Sequence, residues 1–161
     1  MTRQQFIELV QAEQNALRSF LLALCCGNKF DADDLAQDTL VKAYLALGQY
    51  SDRAQFRAWL FKIAYNTFLN YAASGHRTAL LEEAELMAGP MESDAGFRHQ
   101  ALYLALAQLP PRERSAITLY YLNGYSIKEI AGITDCGADA VKKQLSRGRE
   151  KLKETIESYD R

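Results

Sequence analysis

The chain has 161 residues, 48% of them hydrophobic, and its 19 Lys+Arg against 20 Asp+Glu leave a formal charge of −1. That length holds one ordinary domain or two small ones, and the near-neutral balance excludes a uniformly basic nucleic-acid coat or a charged low-complexity tail. Three cysteines, two of them the adjacent Cys25 and Cys26, and two histidines, His76 and His99, supply neither a disulfide framework nor metal-ligand spacing, so no metal, cofactor or catalytic residue is expected.

From Thr2 to Cys26 the residues Phe6, Leu9, Val10, Ala16, Leu17, Phe20, Leu21 and Leu24 recur near a 3.6-residue period and predict a long helix stopped by Gly27-Asn28. The apolar run inside it, residues 20–26, is far shorter than the ~20 residues a membrane span needs. The opening MTRQQFIE lacks the apolar core of a signal peptide, so a cytoplasmic protein is expected. Asp31 or Asp33 is the predicted cap of a second helix carrying Leu35, Ala36, Leu40, Ala43, Tyr44 and Leu47. Phe56, Trp59, Leu60, Ile63, Ala64, Phe68 and Tyr71 predict a third, ending near Ser74-Gly75.

Periodicity then fades. Residues 82–94 carry five acidic side chains and no Lys or Arg, which reads as an acidic flexible linker over 76–96, with a short helix at 79–87 as its alternative. Helical pattern resumes at Phe97 and runs to Pro110-Pro111, which end one helix and open the next. That next helix, residues 112–122, halts at Asn123-Gly124. Ser126 and Glu129 form a capping box ahead of a short helix, Thr134 to Gly137 make a turn, and a last helix starts near Ala138 or Asp139 with Val141, Leu145, Gly148, Leu152 and Ile156 facing inward. Gly148 predicts a close neighbour. The fold class is all-α: two small helical domains, 1–75 and 97–161, joined by the acidic linker, the C-terminal one a helix-turn-helix.

A short capped helix, a turn of about four residues and a longer basic helix is the layout that seats its second helix in the DNA major groove. Residues 140–153 carry a net +5 within a chain of −1. Lys142, Lys143, Gln144, Arg147 and Arg149 lie off the Val141/Leu145/Leu152 stripe, and their long donors suit base edges or phosphates. Asp135 and Asp139 flank the start of that helix, where capping is their expected role. Residues 31–52 carry a net −4, an acidic face beside Leu35 and Gln37 suited to a protein partner rather than DNA. On the third helix Arg57, Lys62, Asn66 and Asn70 mix cations and amides suited to a single strand, with Tyr50, Tyr65 and Tyr71 as weaker stacking candidates.

Taken together, DADDLAQDTLVKAYLALGQY (31–50), FRAWLFKIAYNTFLNY (56–71), LPPRERSAITLYYLNGYSIKEIA (109–131) and AVKKQLSRGREKLKE (140–154) resemble bacterial extracytoplasmic-function sigma factors over nearly the whole chain. The resemblance implies a non-catalytic promoter-specificity subunit, with core RNA polymerase and promoter DNA as partners and an anti-sigma factor as a further one. It implies that Asp34, Leu35, Gln37, Asp38 and Lys42 meet the polymerase and that the loop 48–55 captures a base. Arg53, Arg57, Lys62, Asn66 and Asn70 would then contact the opened minus-ten strand. Lys142, Lys143, Gln144, Arg147 and Arg149 would read the minus-thirty-five element, with Arg112 and Arg114 on phosphates. The chain departs from the family pattern at Tyr65, Asn70 and the turn Thr134-Asp135-Cys136-Gly137. The competing reading is an autonomous helix-turn-helix regulator with an N-terminal sensor or oligomerisation domain.

Overall fold

The structure, a computed structural model, describes residues 1–51, 55–76 and 94–159. Arg53 and most of the expected acidic linker, including its alternative helix, lie outside these residues. Within them are seven α-helices and no strand: α1 (Arg3–Leu24), α2 (Lys29–Leu45), α3 (Phe56–Tyr71), α4 (Asp94–Gln108), α5 (Pro111–Tyr121), α6 (Ile127–Thr134) and α7 (Ala138–Tyr159). A short 3-10 turn, Leu47–Gln49, follows α2, and a π turn, Ala72–His76, follows α3.

Helices α1, α2 and α3 pack on one another to form the N-terminal unit. Its centre is Phe20 stacked on Phe61 at 4.9 Å, surrounded by Leu17, Leu21, Leu24, Leu60, Ala64 and Phe68. Thr2 starts α1 through a reciprocal capping box with Gln5. Helix α2 begins earlier than Asp31 or Asp33 would place it. Cys26 and Gly27 both adopt positive φ and turn the chain at once, so Asn28 is the N-cap, its Oδ1 accepting from the Asp31 amide at 3.1 Å. Asp31 is occupied instead by the Asn28 side-chain amide and the Tyr71 hydroxyl, which both donate to it.

In the C-terminal unit α7 packs on α4, α5 and α6. The cap signals act where the chain predicts them. Pro111 occupies the first helical position of α5, and Ser126 Oγ accepts from the Glu129 amide at 3.1 Å while the Ser126 amide donates to Glu129 Oε1 at 3.1 Å. Gly124, at φ +72, reverses the chain after α5. Two details differ. Helix α4 already includes Asp94, three residues ahead of Phe97. Asp135 is not a cap of α7 but closes α6 in the left-handed conformation at φ +57, a role its short side chain tolerates; Asp139 does lie in the first turn of α7.

The two units are packed together, α3 against α6 and α1 against α5. Phe61 meets Tyr125 edge to face at 5.9 Å across this seam.

Candidate nucleic-acid interface and docking face

Burying Val141 and Leu145 fixes the rotation of α7, and that rotation decides which donors face out. Lys142, Lys143, Arg147 and Arg149 are exposed and Gln144 is half-buried beside them, so the five side chains predicted to meet DNA share the outer side of the second helix of the helix-turn-helix. Arg149 Nη1 donates to the Tyr121 hydroxyl at 3.1 Å, which steadies it along the ridge. Lys151 is paired with Glu113 at 3.0 Å, which draws it off the outer ridge and neutralises its charge there.

On α3, Asn66 and Asn70 are exposed and Lys62 is half-buried, so these three present the amide and cation mixture that the chain predicts. Arg57 is tied to Glu13 of α1. That hydrogen bond holds its guanidinium still more firmly protonated than usual, and a strand phosphate must compete with the carboxylate for it. The three tyrosines are not free platforms. Tyr65 is 2% exposed, and burial pushes its phenol up against the opposing effect of Arg112, whose Nη1 donates to its hydroxyl at 3.3 Å. Tyr71 donates to Asp31, and Tyr50 packs edge-on against Trp59 at 5.1 Å.

Arg114 requires a correction. It is 1% exposed and its guanidinium donates to main-chain carbonyls, so it presents nothing to a phosphate. Arg112, two residues earlier, is exposed near the seam.

Helix α2 supplies the second surface. Asp34, Gln37, Asp38 and Lys42 are exposed, with Lys42 Nζ held by the Thr67 hydroxyl at 3.2 Å. Leu35 departs from expectation: it is 5% exposed and belongs to the core, because Ala32, Leu35, Ala36, Thr39 and Ala43 form the inward stripe. The apolar part of the outer face comes instead from Val41, Tyr44 and Leu45, of which Leu45 is 78% exposed. Sequence reasoning missed Val41 and Leu45. The signal was available: both fall outside the spacing of the inward stripe while remaining apolar. A second exposed apolar group, Tyr120, Tyr121 and Leu122, ends α5.

Among the described residues no group of His, Cys, Asp and Glu is placed to hold a metal ion, and no helix is long and apolar enough to cross a membrane.

An acidic-apolar face on one helical unit and a cationic ridge on the helix-turn-helix of another describe a factor that joins a protein machine to DNA. Comparison with known proteins gives that class its name: Sigma-70 region 2 matches residues 9–78 and Sigma-70 region 4 matches residues 99–152. The ECF RNA polymerase sigma-E factor of Escherichia coli (strain K12) is 31% identical, over 79% of this chain and 74% of the relative. The ECF RNA polymerase sigma factor SigM of Bacillus subtilis (strain 168) is 30% identical, over 91% of each. Among solved structures, the sigma factor RpoE in complex with the anti-sigma factor NepR from Bartonella quintana superposes with a TM-score of 0.75 at 27% identity, covering 96% of this chain and 98% of that one. CnrH in complex with the cytosolic domain of CnrY gives 0.73 at 26% identity, covering 98% and 90%. The chain belongs to the extracytoplasmic-function RNA polymerase sigma factors, which direct promoter-specific initiation.

Proposed function

We propose that residues 1–75 dock on core polymerase and hold the opened minus-ten element, that 97–161 read the minus-thirty-five element, and that 76–96 connect them as an acidic linker. The docking set is Asp34, Gln37, Asp38 and Lys42, joined by Val41, Tyr44 and Leu45. Asn66, Asn70, Lys62, Arg57 and Arg53 meet the separated strand. Lys142, Lys143, Gln144, Arg147 and Arg149 enter the upstream major groove, with Arg112 on a phosphate. Chemistry belongs to the polymerase, and the factor itself turns nothing over. It works by binding the unpaired state more tightly than the paired one, which offsets the few kcal/mol that unstacking a base costs. Its place of action is the cytoplasm.

The observation that carries this reading is the outward cationic ridge of α7 in a chain whose formal charge is only −1. A protein of that charge is a weak free binder of duplex, and core polymerase supplies the missing affinity. An autonomous regulator accounts for the helix-turn-helix and leaves the acidic-apolar face of α2 without a purpose. RpoE was solved with the anti-sigma factor NepR and CnrH with the cytosolic domain of CnrY, and an anti-sigma protein here would have the exposed apolar side chains of α2 to cover. The deciding experiment is transcription from a random promoter pool with purified core enzyme. Promoter-dependent initiation only when this protein is added is expected; tight, specific duplex binding by the free protein, without initiation, would overturn the reading.

A further inference from the structure

Two cations near the middle of α7 are partnered in different ways. Lys151 meets a carboxylate, Glu113, so its charge is neutralised where it stands. Arg149, two residues earlier and exposed, makes no ion pair among the described residues; its Nη1 donates to the hydroxyl oxygen of Tyr121 in α5 at 3.1 Å. A neutral acceptor orients the guanidinium and leaves its charge and its other N–H donors available. Tyr121 is 57% exposed, yet its place is fixed by its surroundings. The amides of Leu122 and Asn123 both donate to the Thr118 carbonyl, at 2.9 and 3.2 Å, and that of Tyr125 donates to the Leu119 carbonyl at 3.1 Å, which ties down the end of α5. The ring meets Tyr120 edge to face at 4.9 Å. One turn before it, Ile117 packs against Gly148, the neighbour of Arg149, so the seating of α5 on α7 sets the span that the Tyr121–Arg149 bond closes.

The rotation of α7 says what Arg149 is held for. With about 100° between successive residues, Lys143 and Arg147 lie on the side facing away from the buried Val141 and Leu145. Lys142, Arg149 and Lys153, all exposed, fall instead within about 40° of one another on one flank. A helix with its side chains is about 10–12 Å across and fills a major groove about 12 Å wide. Its far side then meets base edges and its flank meets a wall of phosphates. We propose that Tyr121 is a positioning residue for promoter binding: its hydroxyl holds Arg149 against a backbone phosphate of the upstream element, in a flanking row with Lys142 and Lys153, while Lys143 and Arg147 face the bases. The inference rests on the reading above that α7 enters the upstream groove. An arginine loses rotamer freedom when it grips a phosphate, and a side chain already oriented loses less of it on binding.

The test measures binding of reconstituted holoenzyme to fluorescent promoter duplexes carrying two different upstream sequences, across about 50–200 mM salt. Tyr121→Phe keeps the ring and its contact with Tyr120 and removes only the hydroxyl. It should lower affinity about three- to tenfold for both upstream sequences alike. The salt slope, the urea midpoint and capture of core polymerase should stay as in the wild type, because no charge and no buried group is lost. Arg149→Gln should lower affinity further and reduce the slope of log affinity against log salt by about 0.9. Adding Tyr121→Phe to Arg149→Gln should cost less than about a further twofold, since the hydroxyl acts through the guanidinium. Tyr121→Glu, which offers Arg149 a neutralising carboxylate, should reduce the slope as Arg149→Gln does although the arginine is still in place. A Tyr121→Phe holoenzyme that binds like a normally binding wild type would overturn the positioning role alone, whereas a wild-type holoenzyme indifferent to the upstream sequence would overturn the groove reading beneath it. Equal losses from Tyr121→Phe with and without Arg149 would show that the hydroxyl acts independently, and loss of polymerase capture would assign Tyr121 to the enzyme; either result overturns the proposal.

Discussion

A side chain placed on Gly148 of α7 would put its Cβ 2.7 Å from Cγ1 and 3.0 Å from Cδ1 of Ile117 in α5. The glycine lets the reading helix lie directly on its support, and Ile117, 4% exposed and β-branched, has almost no alternative rotamer into which to retreat. Gly148→Ala gains about 1 kcal/mol of helix propensity and loses about 1–3 kcal/mol to overpacking. The expected net result is a C-terminal unit destabilised by up to about 2 kcal/mol, read as a lower urea midpoint. A variant as stable as the wild type would show that α7 can shift without cost.

Tyr125 offers a different test. Its ring fills the seam, but its hydroxyl is buried with no hydrogen-bond partner among the described residues, and burial pushes the phenol up to about 12. An unfolded chain ionises the same group near pH 10. Between those values the folded protein keeps a proton that the unfolded one has released, so stability contributed by the neutral phenol is intact below pH 10 and drains away as pH rises toward 12. Tyr125→Phe should be as stable as the wild type or about 1 kcal/mol more stable at pH 8, since no bond is lost and an unpaired group is removed. Its urea midpoint should also decline less between pH 9.5 and 11.5. Parallel alkaline curves for the two proteins would contradict the assignment.

These two residues also show what a one-dimensional reading can and cannot see. The glycine at 148, the Ser126/Glu129 box and the Pro111 start are legible because their partners are local or their conformational demands belong to the residue itself. The outward set on α7 is legible for the same reason: Val141 and Leu145 fix the inner stripe and everything else follows from the helical period. Arg114 is not legible. One of its acceptors lies 90 residues away in the chain, and a cation beside another cation in PRER reads as a surface pair until the fold supplies the carbonyls. Leu35 fails in a milder way. The acidic residues that open the helix draw Leu35 into the expected outer face, although the spacing of Leu35, Thr39 and Ala43 already turns Leu35 inward and leaves Val41 and Leu45 outward.

On the α2 face, Val41→Glu and Leu45→Asp alter exposed side chains and should change stability by no more than about 0.5 kcal/mol. Asp38→Lys reverses a charge at the same surface. Each should weaken capture by core polymerase while leaving the helical circular dichroism and the C-terminal unit unchanged. Full retention by all three, measured in a pull-down at fixed salt, would move the docking face elsewhere.

Arg147 stands exposed on the ridge of α7, free of any ion pair among the described residues. Two uses of its guanidinium have separable signatures. A bidentate contact to a guanine contributes about 1–3 kcal/mol of discrimination. Arg147→Ala would then lower holoenzyme use of the preferred upstream element by about five- to 150-fold while relaxing preference at a single base position. A phosphate contact would instead weaken all upstream sequences alike and reduce the slope of log affinity against log salt by about one unit. Either result should spare association with core polymerase, because the side chain lies on the C-terminal unit away from α2. Loss of polymerase capture on removing Arg147 would mean that α7 faces the enzyme and not the DNA, and the division of labour between the two units would have to be reversed.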